Sequence, residues 1–218
     1  MHSIILFFAT YAVVGTSTVI EAKRHHTATV ILSHGRGGGG AAEWASKMSE
    51  IMPHVKWVLP SAPGHSWYDI SHQKGVDHCR GIDASTSMIE SLIEREKRHG
   101  IPYERIVLAG YSQGCAMSLW TGLQFHQPLG GIACIAGYLP RAHAFRESDA
   151  GRSTPVFHVH GEADSTVPLV FAMDRRNAVL GNGHPENRYI IKSIKGMGHD
   201  NLKPAYPLIA AAMSSWIP

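Results

Sequence analysis

The sequence holds three cysteines in 218 residues, an odd number with no pair of C-x-x-C motifs, so no disulfide framework and no zinc ribbon is implied. Two of them fall in stretches that read as buried helix or strand, where a thiol serves as a small packing group. Fifteen histidines are many, yet H-E-x-x-H is absent and no other spacing matches a metal signature, so no metal is expected. A formal charge of +3 is too slight for a nucleic-acid partner, and Lys23-Arg24-His25-His26 reads as a solvated turn. No apolar run is long enough to span a bilayer as a helix. Ile4 to Gly15 has signal-peptide length but no positive charge ahead of it, so residues 1–17 are open to two readings. They form either a signal peptide or flexible leader, or the first ordered element of the fold. Internal repeats, low-complexity tracts and linkers are also missing, which leaves residues 18–218 as one expected domain.

What is present is an alternation. Thr18 to Ala22 reads as an edge strand, Ala28 to Ser33 as a stronger one, and Val55 to Leu59, Arg105 to Ala109, Gly130 to Ala136, Pro155 to His160 and Tyr189 to Ile194 as further strands. Helices are expected over Ala41–Met52, Ile82–His99, Gln113–His126, Leu169–Leu180 and Leu202–Trp216. Strands and helices that alternate along most of the chain argue for an α/β fold with a mostly parallel central sheet and helices on both faces. In such sheets function collects at the carboxyl ends of the strands.

Gly110-Tyr111-Ser112-Gln113-Gly114 sits at such an end, between a strand and a helix. This is the pattern of a nucleophile elbow, a turn so tight that its flanking residues must be glycine and the serine hydroxyl is pushed outward. Upstream, His34-Gly35-Arg36-Gly37-Gly38-Gly39-Gly40 comes directly after a strand. A phosphate loop would need Lys-Ser or Lys-Thr after the last glycine, where this chain has Ala41-Ala42, so nucleotide binding is set aside. The alternative is an oxyanion hole whose donors by position are the Arg36 and Gln113 N–H groups. His34 is expected to brace that loop.

A serine hydroxyl needs a base, and the base needs an acid to hold its tautomer. Ser112, Asp164 and His199 occur in the order Ser, acid, His, each just past an expected strand. Glu162 is the competing acid. His158 and His160 alternate along a strand and read as packed or hydrogen-bonded, His184 stands at the wrong end of the sheet, and Asp200 reads as a carboxylate at a helix N-terminus. Trp67 and Tyr68, and beyond them Tyr138, are candidates for a pocket rim or for half-buried packing.

Seven stretches together resemble the acyl-protein thioesterase and lysophospholipase group, the phospholipase/carboxylesterase branch of the α/β-hydrolases. They are Val-Ile-Leu-Ser-His-Gly-Arg-Gly from Val30, Ser-Trp-Tyr-Asp-Ile from Ser66, Gly-Ile-Pro-Tyr-Glu-Arg-Ile from Gly100, the elbow, Gly-Tyr-Leu-Pro from Gly137, His-Gly-Glu-Ala-Asp from His160 and Gly-Met-Gly-His from Gly196. The resemblance implies Ser112 as nucleophile, His199 as base, Asp164 as orienting acid, and cleavage of acyl thioesters or carboxylic esters without a cofactor. It also implies an S-acylated protein or a lysophospholipid as substrate and a cytoplasmic location, against secretion if residues 1–17 are a signal peptide. A short-chain carboxylesterase and a non-catalytic binding protein on the same fold are the rival readings. The chain departs from the family's pattern in carrying Arg36 where a leucine is usual, Tyr138 where tryptophan is common before Leu-Pro, and a shorter loop between Pro60 and Trp67.

Overall fold

The computed structural model describes residues 17–70, 72–73 and 76–218. The expected leader therefore lies outside the described residues except for Ser17, which opens the first strand. Seven strands form one sheet in the order β1 (Ser17–Ile20), β3 (Val55–Pro60), β2 (Ala28–Ser33), β6 (Ile106–Tyr111), β7 (Gly131–Ile135), β8 (Val156–Gly161) and β9 (Tyr189–Ile194). Only β1 runs antiparallel, with Ser17 opposite Pro60, and every other pairing is parallel. A small separate hairpin joins β4 (His72–Gln73) to β5 (Val76–Asp77).

The central strands are apolar at successive positions because both sheet faces are covered. Ile31, Ile106, Leu108, Ile132 and Cys134 point to one side, where they meet α2 (Ile82–Arg98) and α3 (Gln113–Gly122). Val30, Leu32, Val107, Ala109, Ala133 and Ile135 point to the other, against α1 (Ala41–Ile51) and α5 (Tyr206–Trp216). The period of two thus sorts neighbouring residues into two separate cores. Helix α2 buries Ile82, Ile89, Leu92 and Ile93 at helical spacing, whereas every residue of α3 is buried and the helix has no solvent face. Helix α4 (Leu169–Gly181) comes after the turn that ends β8.

Two helices differ from expectation. Helix α3 stops at Gly122, not His126, because the next carbonyls are taken by the loop: Leu123 O accepts from the Ser148 N–H at 3.1 Å and Phe125 O from its hydroxyl at 2.6 Å. Helix α5 begins at Tyr206 after a separate 3-10 turn over Lys203–Ala205, in a stretch punctuated by Pro204 and Pro207. Among the described residues, no helix is long and apolar enough to cross a membrane.

Candidate active site

The strand-to-helix junction after β6 holds Ser112 at φ 53° and ψ −117°, a region that L-residues other than glycine avoid. The surroundings over-determine this conformation. A Cβ on Gly110 would come within 2.2 Å of the Gly114 carbonyl, and one on Gly114 within 2.1 Å of Ser33 O. Neither position has room for any other residue, so the backbone of α3 starts hard against β2 and the serine is turned outward. The Ser112 N–H is tied to Ile135 O on the neighbouring strand at 2.9 Å.

Three strand ends converge on that hydroxyl. His199, in the turn after β9, has Nε2 at 2.9 Å from Ser112 Oγ and Nδ1 at 2.7 Å from Asp164 Oδ2. Asp164, in the turn after β8, is buried, and its second oxygen accepts the Thr166 and Val167 N–H groups at 3.0 and 2.8 Å. A carboxylate held in this way fixes the imidazole with Nδ1 as donor, leaving Nε2 to accept from the serine. A hydroxyl, an imidazole and a carboxylate in one chain are what nucleophilic acyl transfer requires. Close packing of the turns maintains the alignment, since a Cβ on Gly161 would lie 2.0 Å from Met197 O.

The competing acids and histidines that the sequence offers are engaged elsewhere. Glu162 is exposed and accepts from the Ser193 hydroxyl at 2.8 Å. His160 Nε2 donates to Val167 O at 2.8 Å, so its Nδ1 accepts from His158 Nε2 at 3.1 Å, which in turn leaves His158 Nδ1 to face the Tyr189 hydroxyl. Burial pushes both imidazoles below their usual range, and both are neutral. His184 is buried against Glu147 at 2.5 Å, remote from the serine. Asp200 is not at a helix N-terminus: it lies in the turn beside His199 and accepts the Tyr111 hydroxyl at 3.0 Å. The cause is the 3-10 turn at Lys203, which delays α5.

The glycine loop is braced by His34. His34 accepts the Ala62 N–H through Nε2 at 3.0 Å and donates through Nδ1 to Gly35 O at 2.6 Å, a pairing that needs the neutral ring and that burial favours by lowering its pKa. The brace leaves the Arg36 N–H without a backbone acceptor among the described residues. The Gln113 N–H is the first of α3, one of the four that a helix leaves unpaired. The Gln113 side chain faces away and staples the next loop, accepting from the Trp67 N–H at 3.0 Å and donating to Tyr68 O at 2.7 Å.

A cavity of about 580 Å³ opens at Ser112. Tyr138 lines it, as the sequence suggests, but Trp67 does not: its ring is buried and its Nε1 donates to His34 O at 2.8 Å, and the adjacent Tyr68 faces the cavity in its place. Ile70, Val167, Pro168 and Phe171 complete an apolar wall, with the Phe171 ring edge-on to Tyr138 at 5.0 Å between centroids. Sequence reasoning named none of these four; for the last three, the apolar stretch that begins three residues past the strand-end acid was the one signal.

Comparison with known proteins agrees with this architecture. A family model described as phospholipase/carboxylesterase matches residues 14–209. An acyl-protein thioesterase 1 from Yarrowia lipolytica is 37% identical over 182 residues, 74% of this chain and 80% of its own length. One from Gibberella zeae is 34% identical over 92% of this chain and 95% of its own. The crystal structure of Zea mays acyl-protein thioesterase 2 superposes with a TM-score of 0.79, covering 94% of this chain and all of that one, at 22% identity that speaks for the fold alone. The chain belongs to the phospholipase/carboxylesterase family and is an ester or thioester hydrolase of the acyl-protein thioesterase type.

Proposed function

We propose that Ser112, His199 and Asp164 carry the hydrolysis, with the Arg36 and Gln113 N–H groups as oxyanion donors, and that the substrate is a fatty acyl thioester or ester such as an S-acylated protein or a lysophospholipid. The observation that carries this reading is the unbroken hydrogen-bond chain from Ser112 Oγ through His199 to Asp164, at 2.9 and 2.7 Å. Ser112 attacks the acyl carbonyl while His199 Nε2 takes its proton, and the tetrahedral oxyanion is held by the two amides. The imidazolium then protonates the departing thiol or alcohol, and water repeats the sequence to release the acid. Asp164 keeps the ring in the productive tautomer and stabilises its charged form without itself taking the proton.

The acyl chain is assigned to the cavity whose wall is Ile70, Val167, Pro168 and Phe171, since these side chains offer it nothing but apolar surface. Residues 18–218 act as one domain in this reading. Labelling by a fluorophosphonate probe tests it together with an acyl-chain series offered as oxygen ester and as thioester. The expected result is labelling at Ser112, lost in Ser112→Ala together with turnover of every substrate. Labelling or turnover that survives in Ser112→Ala refutes the assignment. Turnover that depends on Ser112 but falls away beyond short chains identifies a short-chain carboxylesterase.

A further inference from the structure

Past the serine, the cleft does not end with the apolar cavity. Tyr111 and Asp200, joined by their hydrogen bond at 3.0 Å, form a partition, and beyond them lies a second recess of about 540 Å³. Tyr111, Asp200 and Arg36 line both compartments. The partition is held firmly, since a Cβ on Gly35 or Gly40 would come within 2.7 or 2.8 Å of the Tyr111 ring. One wall of the recess is the end of the oxyanion loop, Arg36 to Gly40, and the other is Asp200 to Lys203, the direct continuation of the His199 turn.

The two compartments differ in chemistry. The recess carries four charges, Arg36, Lys203, Glu43 and Asp200, and both anions are already engaged: Glu43 pairs with Lys47 at 3.5 Å and Asp200 accepts the Tyr111 hydroxyl. The Arg36 and Lys203 side chains are exposed and, among the described residues, have no ion-pair or hydrogen-bond partner. The direction of catalysis says which half of a substrate meets them. His199 must return its proton to the leaving atom, so the thiol or alcohol departs on the side of the histidine turn, while the acyl chain extends the other way. We propose that the recess is the leaving-group subsite and that its free cations select thiols or alcohols carrying an anionic oxygen group, a carboxylate or a phosphate. This rests on the triad assignment above. As the acyl–sulfur or acyl–oxygen bond breaks, the imidazolium Nε2 proton passes to the leaving atom, and the product departs as a neutral thiol or alcohol that still bears its anionic group.

Octanoyl thioesters of mercaptoacetate, mercaptoethanol and thiocholine, whose quaternary amine cannot capture the acyl group, hold the acyl half constant and set the leaving group's charge to negative, neutral and positive. Octanoyl glycerol 3-phosphate against octanoyl glycerol does the same for a phosphate. The wild-type protein is expected to prefer the anionic member of at least one pair by about fivefold in kcat/KM, as for exposed charge pairs. The preference should shrink toward one in 1 M salt, where the screening length is about 3 Å. Selection confined to the mercaptoacetate arm marks a carboxylate source, and selection confined to the glycerol arm a phosphate source. Because the Arg36 N–H is also an assigned oxyanion donor, Arg36→Leu is read through the anionic-to-neutral ratio, from which any common loss cancels. Lys203→Gln gives the same ratio from outside the oxyanion hole, and fluorophosphonate labelling confirms that each variant is folded. Equal rates for all leaving groups, faster cleavage of the cationic one, or a preference unchanged in both variants overturns the subsite while the triad assignment stands. Hydrolysis that is independent of Ser112 overturns the triad assignment and the subsite together.

Discussion

At the carboxyl ends of β6, β8 and β9 the backbone is forced into a disfavoured conformation at Ser112, and polar side chains form an ordered line facing a cavity. At the amino ends of the same sheet, polar groups are buried against fixed partners. Lys56 donates to both oxygens of Glu96 at 2.9 Å, and the Thr29 hydroxyl adds a third bond at 3.1 Å. Beside β8 and β9, Glu147 holds His184 at 2.5 Å, both side chains fully buried. The difference lies in what each group has left to offer. Glu96 spends its lone pairs on fixed partners and fastens α2 to β2 and β3, whereas Ser112 lines an open cavity. Parallel strands make this division natural, because the turns at their carboxyl ends all gather on one side of the sheet.

Changing the acid at the reactive end should have the largest effect. In Asp164→Asn the amide oxygen can still accept from Thr166 and Val167, but an NH₂ facing His199 Nδ1 imposes the wrong tautomer. We expect kcat to fall on the order of 10³–10⁴-fold, with the urea-unfolding midpoint little changed. A midpoint that falls as steeply as activity would erase the distinction between the two ends. The reciprocal change is Glu96→Ala, which strands Lys56 at only 12% side-chain exposure. It should cost about 3 kcal/mol in denaturant unfolding, the lower end for a broken buried pair, and leave kcat of the folded enzyme within about twofold. A large loss of kcat would mean that the amino ends reach the chemistry.

The smallest effect separates the ends by pH. Burial holds His158 and His160 below the ordinary 6.5, so the unfolded chain binds protons that the native state refuses. Stability therefore declines as pH falls below about 6.5, by roughly 1 kcal/mol per pH unit for each such imidazole. Glu96 acts in a lower window. Burial alone would raise its pKa, but the Lys56 and Thr29 bonds and the nearby Arg95 charge hold it below the usual 4.5. Its contribution persists until pH falls through that depressed value. Urea midpoints measured from pH 8 to pH 4 should show a first decline starting near 6.5, shallower in His158→Gln; a flat profile down to pH 5 contradicts it.

Much of this was legible in the chain itself. The apolar strands, the helix spacing of Ile82, Ile89, Leu92 and Ile93, and the glycines flanking Ser112 carry their reasons locally, in periodicity and in the steric demands of a tight turn. That Ser112, Asp164 and His199 would meet was legible because each stands just past a strand, and parallel strands bring their carboxyl-end turns to one edge of the sheet. Other features depend on groups far away in sequence. Whether Trp67 or Tyr68 faces the cavity is decided by His34 and Gln113, which claim the Trp67 ring and backbone. The end of α3 is set by Ser148, and the partner of Asp200 is a tyrosine 89 residues away. Local pattern determined which segments are strands and helices and which residues stand at their ends, because backbone geometry and burial act over a few residues. Only the tertiary structure decided which neighbouring side chain turns inward, which carboxylate meets which donor, and that a polar recess adjoins an apolar one, because those outcomes require surfaces from distant segments to be packed together.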